Sequence, residues 1–398
     1  MNKDFFITCT QENHWTIDDA HRVAEKIINL KDEYQKYWQK IVAGENFALV
    51  RYGDGERSLM LGKAVKAQEG WQAGRGLTLL GEDLKKSLGF ADKNFVYGIS
   101  CPCCDSASYY WYLQHLKGCT VTFANIWANA NFADFFNDFQ NLERDAVLIT
   151  NFRGKGKTYG KLRVKKHYCV DDDCISFWAR QGRQFIRQII SETGHEKNLL
   201  YAVAAGPMSE LIIKALYENN PDNCYIDFGS ALDVFTHSKI TRPYMLKDTA
   251  YSQQNCWMFD SEKINLDVDV VLSAYKRTEV LSQQLDAIKN QTLRPRRIFL
   301  YQDAVKPGEQ KVVIDEKILE QFDDYEIAET NGGVWKRFEY AAKKTLSPYV
   351  CIFDDDTIPG SRWLENCHMH MEQKGGGVTV PTEYFCTTLT AIRRRVFA

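Results

Sequence analysis

Two carboxylates separated by one glycine follow the first apolar stretch of the sequence. Residues 47–51 (FALVR) are typical of a buried strand, and they run directly into the turn YGDGE at 52–56. Glycine permits backbone conformations that other residues resist, so this turn can bring Asp54 and Glu56 toward one point. A hard divalent cation would relieve the repulsion between them and would also grip the phosphates of a ligand. The spacing indicates a cation site, and a plain surface turn is the alternative.

Two later turns in the same half of the sequence could join this site. Gly206 and Pro207 separate an apolar run from a helical pattern, so the amides after the turn suit an anionic group. A tight connection between a strand and a helix, without a binding role, would have the same sequence pattern. Asp227 ends the next strand-like run, where it could meet a hydroxyl group or cap a helix. Ligands of open α/β sheets bind at the carboxyl ends of the strands. We therefore expect Asp54 and Glu56 to face these turns.

A second acidic cluster lies near the end of the chain. Asp354 to Asp356 follow the apolar run 349–353. Because side chains of a strand alternate between its faces, at least one of these charges would point toward the protein, which is unfavourable unless the charge is paired. Binding of a cation explains the cluster. An earlier strand-like run ends in a polar turn that contains Ser273 and Tyr275.

Strand-like and helical patterns alternate in both halves of the sequence, which predicts mainly parallel sheets covered on both faces. A polar stretch without periodicity interrupts the alternation at 238–265. We therefore predict an α/β protein with two Rossmann-like domains, at 1–250 and 266–398, joined by a linker at 251–265. The strand-like runs lie at 47–51, 95–99, 120–123, 146–150, 199–204, 268–273, 297–302, 325–328 and 349–353.

The string ALVRYGDGE at 48–56 resembles the defining motif of the GT-D glycosyltransferases, whose Asp-x-Glu binds the metal of a nucleotide-sugar complex. The resemblance covers residues 30–235, and its further matches (FANIWAN with Asn131, AAGP and YIDFGSALD) follow in the family's order. It implies a GT-D-like parallel sheet in the first domain. The site positions that it implies are Asp54, Glu56 and Asp227 for metal binding or catalysis, and Arg51, Gly53, Asn129, Gly206 and Pro207 for the nucleotide.

The second half resembles a family 2, GT-A glycosyltransferase. The three aspartates match its Asp-x-Asp motif, which implies Asp356 as a metal ligand and Asp354 as a ligand of the ribose or the metal. Asp303 matches the acidic residue that contacts the nucleoside, and Ser273 and Tyr275 sit at the first nucleotide-binding turn.

This second domain departs from its family at the C-terminal end. Only 38 residues follow Gly360, and Glu383 is the sole carboxylate there after Glu372, whereas the fold needs acceptor-side strands and a catalytic base. We expect a shortened, partial GT-A-like domain. It would bind donor without catalysing, depend on a partner chain, or be a fragment.

Both resemblances imply a metal-dependent glycosyltransferase that uses Mn²⁺ or Mg²⁺ and a nucleotide-sugar donor, by resemblance UDP-linked. The acceptor would be a hydroxyl of a glycan, a lipid-linked glycan or a glycoprotein. Glu56 or Asp227 could act as the base, and the sequence does not choose between them. The alternatives are a non-catalytic protein that binds nucleotide sugars or glycans, and another Rossmann-like transferase, which the lack of a GxGxxG turn after the first strand disfavours.

Composition and one misleading motif narrow the functional classes. A net charge of −2 argues against nucleic-acid binding. The sequence lacks a signal-like segment and an apolar stretch of the ~20 residues that span a bilayer, so we expect no transmembrane segment and a cytoplasmic location. Residues 151–158 (NFRGKGKT) nearly spell a P-loop, but a strand-like pattern follows where a P-loop needs a helix. Lys155 and Lys157 would be diphosphate contacts or a solvated basic loop.

Twelve cysteines are scattered along the chain, and reduced thiols are expected without a secretion signal. Cys101, Cys103 and Cys104 resemble half of a metal site. Cys169 and Cys174, with His167, could supply the rest. Because paired CxxC motifs are lacking, the pattern favours small packing residues beside a strand end over structural zinc.

Overall fold

The computed structural model describes five stretches of the chain. The chain divides into two compact units, of which the first is Ile28–Met258 and the second begins at Phe259. Each unit contains its own central sheet, which confirms the predicted α/β fold class. Within these stretches, no helix combines the length and the apolar character that crossing a bilayer requires. The described residues are 27–67, 71–262, 266–373, 378–379 and 389–393.

A seven-stranded sheet, parallel throughout, forms the core of the first unit. The strands of this unit are β1 (Ile27–Asn29), β2 (Ala48–Tyr52), β3 (Val65–Lys66), β4 (Gln72–Ala73), β5 (Phe95–Ile99), β6 (Thr120–Phe123), β7 (Asp145–Asn151), β8 (Arg163–Val170), β9 (Leu200–Ala204), β10 (Cys224–Asp227) and β11 (Trp257–Phe259). The spatial order of the large sheet is β6-β5-β2-β10-β9-β7-β8, and β1 pairs with β11 and β3 with β4. Strands β5 and β10 are buried along their whole length, as expected when helices cover both faces.

Helices connect the strands of the large sheet. The first of them begins after Asn29, whose side chain accepts a hydrogen bond from the Lys31 amide at 2.8 Å. It ends at Gly44, whose φ of 76° is the left-handed conformation that glycine favours there. The helices of this unit are α1 (Leu30–Ala43), α2 (Asp54–Met60), α3 (Leu79–Ser87), α4 (Pro102–His115), α5 (Phe132–Asn141), α6 (Cys174–Phe177), α7 (Arg183–Thr193), α8 (Ser209–Asn219), α9 (Asp233–Thr236) and α10 (Ala250–Gln253).

The second unit is built on a sheet of six strands. They are β12 (Val268–Ala274), β13 (Arg297–Gln302), β14 (Asp324–Ile327), β15 (Tyr349–Phe353), β16 (Val378–Thr379) and β17 (Leu389–Arg393). Their order is β14-β13-β12-β15-β17-β16; the first four are parallel, and β17 is antiparallel to both of its neighbours. Val271, Phe299 and Ile352 pack with Tyr340 in its core. The helices are α11 (Leu281–Lys289), α12 (Glu316–Leu319), α13 (Lys336–Lys344) and α14 (Trp363–Gln373).

Two regions that the sequence analysis singled out have regular structure. The predicted linker at 251–265 begins within helix α10 and includes strand β11, and its boundaries stay a prediction. Past Gly360, helix α14 and the antiparallel strands β16 and β17 follow, so the second unit does have strands beyond its acidic cluster. Glu383 lies outside the described residues.

Candidate functional site

A cleft of about 1070 Å³ opens in the first unit at the carboxyl edge of the seven-stranded sheet. Strands β2 and β10 are neighbours in the sheet although they are its first and last strands in the chain. The turns after both strands therefore meet at one edge, which is where ligands of open α/β sheets bind. Seven of the positions implied by the sequence line this cleft, namely Arg51, Gly53, Asp54, Glu56, Gly206, Pro207 and Asp227.

The first two carboxylates stand in the first turn of helix α2. Gly53 precedes the helix, and its amide donates a hydrogen bond to Glu56 Oε2 at 2.8 Å. The Tyr112 hydroxyl donates a hydrogen bond to the Gly53 carbonyl at 2.7 Å, which holds the turn in place. Asp54 is exposed and Glu56 is half-buried. The turn thus offers one carboxylate to solvent and holds the other against the protein.

Two more carboxylates reach the cleft from the opposite turns. Asp227, at the end of β10, is 5% exposed, and its Oδ1 accepts a hydrogen bond from the Gly229 amide at 2.9 Å. Glu210, in the first turn of α8, is 2% exposed, and its buried Oε2 has no hydrogen-bond partner among the described atoms. A charged buried carboxylate without a donor is costly, so this position favours either a protonated Glu210 or a positive group beside it.

Burial sets the protonation of these acids. Burial, together with the charges of Asp227 and Asp54, raises the pKa of Glu56 to about 7, against the opposing backbone hydrogen bonds. Burial likewise raises the pKa of Asp227 to about 6, while Arg51 opposes the shift. Burial raises the pKa of Glu210 well above its usual range, with Glu56 and Asp227 adding to the effect. Burial and mutual repulsion therefore favour the protonated forms of these acids near neutral pH, and a bound cation would displace those protons.

Arg51 is the basic group inside this acidic cluster. It is the penultimate residue of β2, and its Nε donates a hydrogen bond to the Ala124 carbonyl. The guanidinium lies directly against Gly229, where a Cβ atom would overlap it, and Gly229 has a φ of 50°. Glycine is needed at that position for both reasons. Arg51 is placed to meet an anionic ligand beside Asp227.

The glycine turn after β9 has the form expected from the sequence. Gly206 has a φ of 57° and starts a short 3₁₀ turn that leads into α8. The Ala205 amide donates to the Ser209 hydroxyl at 3.0 Å, so this turn is closed by a side chain. Trp71 lies 3.8 Å from where a Cβ of Gly206 would be and 3.6 Å from where a Cβ of Gly55 would be. One indole therefore packs beside both glycine turns.

Asn129 corrects one assignment. It does not line the cleft, because it is buried and its Nδ2 donates to the sulfur of Cys256 at 3.3 Å. Residues 151–158 are followed by strand β8, as predicted for a loop that is no P-loop. Lys157 donates to the Thr236 carbonyl at 2.9 Å, and neither it nor Lys155 is among the residues that line the cleft.

Sequence reasoning missed Glu210 and Trp71. An acidic residue in the first turn of a helix is an ordinary favourable feature, so Glu210 gave no signal beyond its position after the Gly206 turn. Trp71 follows a polar stretch without periodicity. Both are recognisable only once the turns meet in space.

In the second unit, the acidic cluster follows β15 and meets the turn after β12. The Ser273 hydroxyl donates to Asp354 Oδ1 at 3.1 Å, and the Tyr275 amide donates to Asp355 Oδ2 at 3.2 Å. These two strands are neighbours in the sheet, so the predicted first nucleotide turn and the Asp-x-Asp motif do come together.

Arginines, rather than a cation alone, compensate the charge of this cluster. Asp355 is the inward residue, at 8% exposed, and Arg277 Nη2 lies 3.0 Å from its Oδ1 and 3.0 Å from Asp356 Oδ2. Arg337 pairs with Asp354. Ion pairing therefore compensates the buried charge of this cluster in the structure, and the cation at Asp354 and Asp356 stays a prediction.

Asp303 follows β13 on the other side of β12. Its carboxylate accepts hydrogen bonds from the Gly332 and Gly333 amides, each at 2.9 Å, and from the Ala304 amide at 3.0 Å. Asn331 adds a side-chain donor at 3.3 Å. Asp303, for which the family resemblance implies a nucleoside contact, thus organises the loop 331–333 at the same edge of the sheet.

Neither acidic cluster has three ligand atoms gathered at a single point. Among the described residues, the one group of three or more potential ligands whose atoms lie within 4.8 Å of one another consists of four cysteines. The oxygen donors of both clusters nevertheless suit a hard cation such as Mg²⁺ or Mn²⁺.

Comparison with known protein families finds a match in the C-terminal part of the chain. Residues 269–396 match the family described as glycosyl transferase family 2. No curated protein matches the chain.

Several solved structures are similar in part. S. aureus TarS is 16% identical over 33% of this chain and 29% of its own, with a TM-score of 0.26. TarS 1-349 in complex with UDP-GlcNAc is 17% identical over 31% of this chain and 37% of its own, with a TM-score of 0.25. The chain thus spans well under half of these TarS chains. "The highly conserved domain of unknown function 1792", with "a distinct glycosyltransferase fold", is 15% identical over 52% and 79%, with a TM-score of 0.34. The family match thus identifies residues 269–396 as the region of the chain that is similar to glycosyl transferase family 2.

Proposed function

We propose that this protein is a metal-dependent glycosyltransferase that moves a sugar from a nucleotide-sugar donor, UDP-linked, to a hydroxyl group of a glycan acceptor. The family match at 269–396 supports sugar transfer as the reaction. The observation that carries the proposal further is the cleft of the first unit, where four carboxylates and Arg51 converge on the edge of a parallel sheet.

The residues of the cleft suit a divalent cation with a diphosphate. Asp54 and Glu56 would hold the cation, and the unpaired Glu210 oxygen supports the need for positive charge there. When bound, such an ion would neutralise the negative charge of the diphosphate, which leaves as part of the nucleotide. Arg51 would contact the same phosphates from the side of Asp227, and the amides after Gly206 would offer further donors.

A carboxylate of the cleft would accept the proton of the acceptor hydroxyl. The pKa values of about 7 for Glu56 and about 6 for Asp227 both lie near neutral pH, where a general base is most effective. Asp227 is the better placed of the two for this role, since Glu56 is also the candidate cation ligand.

We assign a second nucleotide-sugar site to the second unit. Ser273, Tyr275 and Asp303 would contact the nucleotide, with Asp354 and Asp356 toward the ribose and the metal. In the alternative, the second unit binds donor without transferring it, because Arg277 and Arg337 occupy the carboxylates that would otherwise hold a cation.

Donor consumption tests the function as a whole. We expect the wild-type chain to release nucleotide from a UDP-sugar in the presence of manganese and an acceptor glycan, and EDTA to stop the release. The double variant Asp54→Asn with Asp356→Asn should lose at least about tenfold in rate, because each substitution removes one charged ligand. The matched control is Asp32→Asn with Asp286→Asn, which changes exposed acids on helices α1 and α11.

Three results would contradict the proposal. Turnover that is unaffected by EDTA would contradict the metal dependence of the reaction. Full activity in the double variant would remove both acidic clusters from the chemistry. Tight binding of UDP-sugars without any turnover, across a panel of donors and acceptors, would favour the non-catalytic binding protein.

A further inference from the structure

Away from the cleft, four cysteine sulfurs gather in the first unit. Cys101 lies directly before α4, Cys103 and Cys104 lie in the first turn of that helix, and Cys256 lies directly before β11. All four sulfurs are within 4.8 Å of one another. The distances are 3.3 Å from Cys101 to Cys103 and 3.6 Å from Cys104 to Cys256, which is 152 residues away in the chain.

These distances match the geometry of one tetrahedral ion. A zinc ion with Zn–S bonds of about 2.3 Å holds its four sulfurs about 3.8 Å apart. The cysteines are all free thiols, and a disulfide would need its two sulfurs at about 2.0 Å. Four sulfurs gathered pairwise at this spacing are what a single central ion requires.

The turn that carries three of the cysteines is built to aim them together. The amides of Cys104 and Asp105 both donate to the Cys101 carbonyl, at 3.2 and 3.0 Å, which closes a tight turn before the main part of α4. Cys256 is fixed from the other side, because its carbonyl accepts a hydrogen bond from the Leu30 amide at 3.1 Å. Cys101 and Cys256 are buried while Cys103 and Cys104 are exposed, so an ion can reach the site from solvent.

Two asparagines donate hydrogen bonds to the sulfurs. Asn125 Nδ2 lies 2.8 Å from Cys256 Sγ, and Asn129 Nδ2 lies 3.3 Å from the same atom and 4.0 Å from Cys104 Sγ. Asn129 has a φ of 51°, an uncommon conformation for a residue other than glycine. Such donors stabilise the negative charge of metal-bound thiolates and orient them. Asn125 and Asn129 of the Asn-rich segment thus contact the cysteines.

We infer that Cys101, Cys103, Cys104 and Cys256 form a four-thiolate site for Zn²⁺. Four protein ligands leave no open position, so the ion is structural and not catalytic. It fastens the segment before β11 to the turn after β5 across a long stretch of sequence. The expected partners from the sequence were wrong, because Cys174 lines the cleft and His167 is bonded to Thr150 at 2.8 Å.

Metal content of the full-length chain tests this inference. We expect about one zinc per chain by elemental analysis of protein prepared without a histidine tag. Cys256→Ser and Cys104→Ser should each lower the bound zinc at least tenfold after dialysis against a weak chelator, whereas Cys169→Ser, outside the cluster, should retain it. Cobalt exchanged into the wild-type protein should show the d–d bands of a tetrahedral ion and sulfur-to-cobalt charge transfer.

The wild-type measurements decide the matter even if a serine variant fails to fold. Wild-type protein that binds neither zinc nor cobalt in reducing buffer would overturn the inference, and so would a disulfide between any two of the four cysteines in protein that lacks metal. One iron per chain in place of zinc would overturn the assignment of the ion. Retention of zinc by folded Cys256→Ser would exclude that residue and the four-thiolate site with it.

Discussion

Acidic residues of one type behave differently in the cleft because their surroundings differ. Asp54 is exposed to solvent, whereas Glu56, Asp227 and Glu210 are largely shielded from water. These three acids are also close enough to affect each other's pKa. Burial disfavours the charged form, and each neighbouring carboxylate adds to that effect. The cleft therefore holds protons near neutral pH that a bound cation would displace.

Glu56 gives a pH-dependent test at the scale of one residue. Its pKa in the folded protein is about 7, above that of an ordinary glutamate, so the folded state binds more protons than the unfolded state in the interval between the two values. Its contribution to stability is therefore present at low pH and is lost as the pH rises through about 7. We expect Glu56→Gln to be more stable than wild type above about pH 7 in EDTA, and the difference to vanish near pH 4.5.

Denaturation midpoints of the two proteins across this pH range provide the measurement. Glu82→Gln, an exposed glutamate in the first turn of α3, is the matched control and should show no such divergence. Manganese should reverse the order, since the carboxylate would then have a partner. A stability difference that is constant with pH would mean that Glu56 titrates normally.

Arginine pairing decides the state of the acidic residues in the second unit. Arg277 and Arg337 each sit within reach of the aspartates after β15. Breaking a partly buried pair is costly when it leaves one charge alone, but an incoming cation and diphosphate can take over both partners at once. The proposed binding of a nucleotide sugar there would therefore exchange these ion pairs for contacts with the cation and the diphosphate.

At the scale of elements, the parallel sheet brings distant turns together. Strands β2 and β10 are paired, so the turn with Asp54 lies beside the turn with Asp227. The turn after β10 starts with Gly229, whose left-handed backbone and missing side chain leave room for Arg51. The position of this arginine thus depends on the backbone of a neighbouring turn.

Gly229→Ala tests this dependence. The methyl group would displace the Arg51 guanidinium, so we expect affinity for UDP with manganese to fall about tenfold, as for a lost charge-assisted hydrogen bond. Gly44→Ala is the matched control, because Gly44 has a similar backbone conformation but open space around it. Both variants should lose about 1 kcal/mol of stability through backbone strain. Equal nucleotide affinity of the two, measured by calorimetry, would contradict a role for Arg51.

At the scale of the whole molecule, each unit has its own sheet with its own acidic edge. We expect the chain to bind two UDP molecules in the presence of manganese. Asp54→Asn should weaken one binding event and Asp356→Asn the other, each by about tenfold or more, because independent sites have additive effects. Calorimetric titration of both variants, with Asp32→Asn and Asp286→Asn as controls, provides the count. One UDP per wild-type chain, abolished by either substitution, would mean a single shared site.

The sequence by itself determined the fold class and most of the cleft. Alternating strand and helix patterns predict parallel sheets, and a polar residue directly after a buried strand must lie at the carboxyl edge. Asp54, Glu56, Gly206 and Asp227 were placed correctly for that reason, and so was Ser273 beside Asp354. These inferences depend on local periodicity and on one rule of sheet geometry.

Only the tertiary structure decided which residues complete each site. Glu210 joins the acidic cluster, Arg277 neutralises Asp355, and Cys256 completes the cysteine group across 152 residues. Asn129 contacts this cysteine group and does not line the cleft. Spacing along the chain carries no signal for such partners, because a contact between remote segments depends on how whole elements pack. The chemistry of a residue can be read from its type, but its partners follow from the fold.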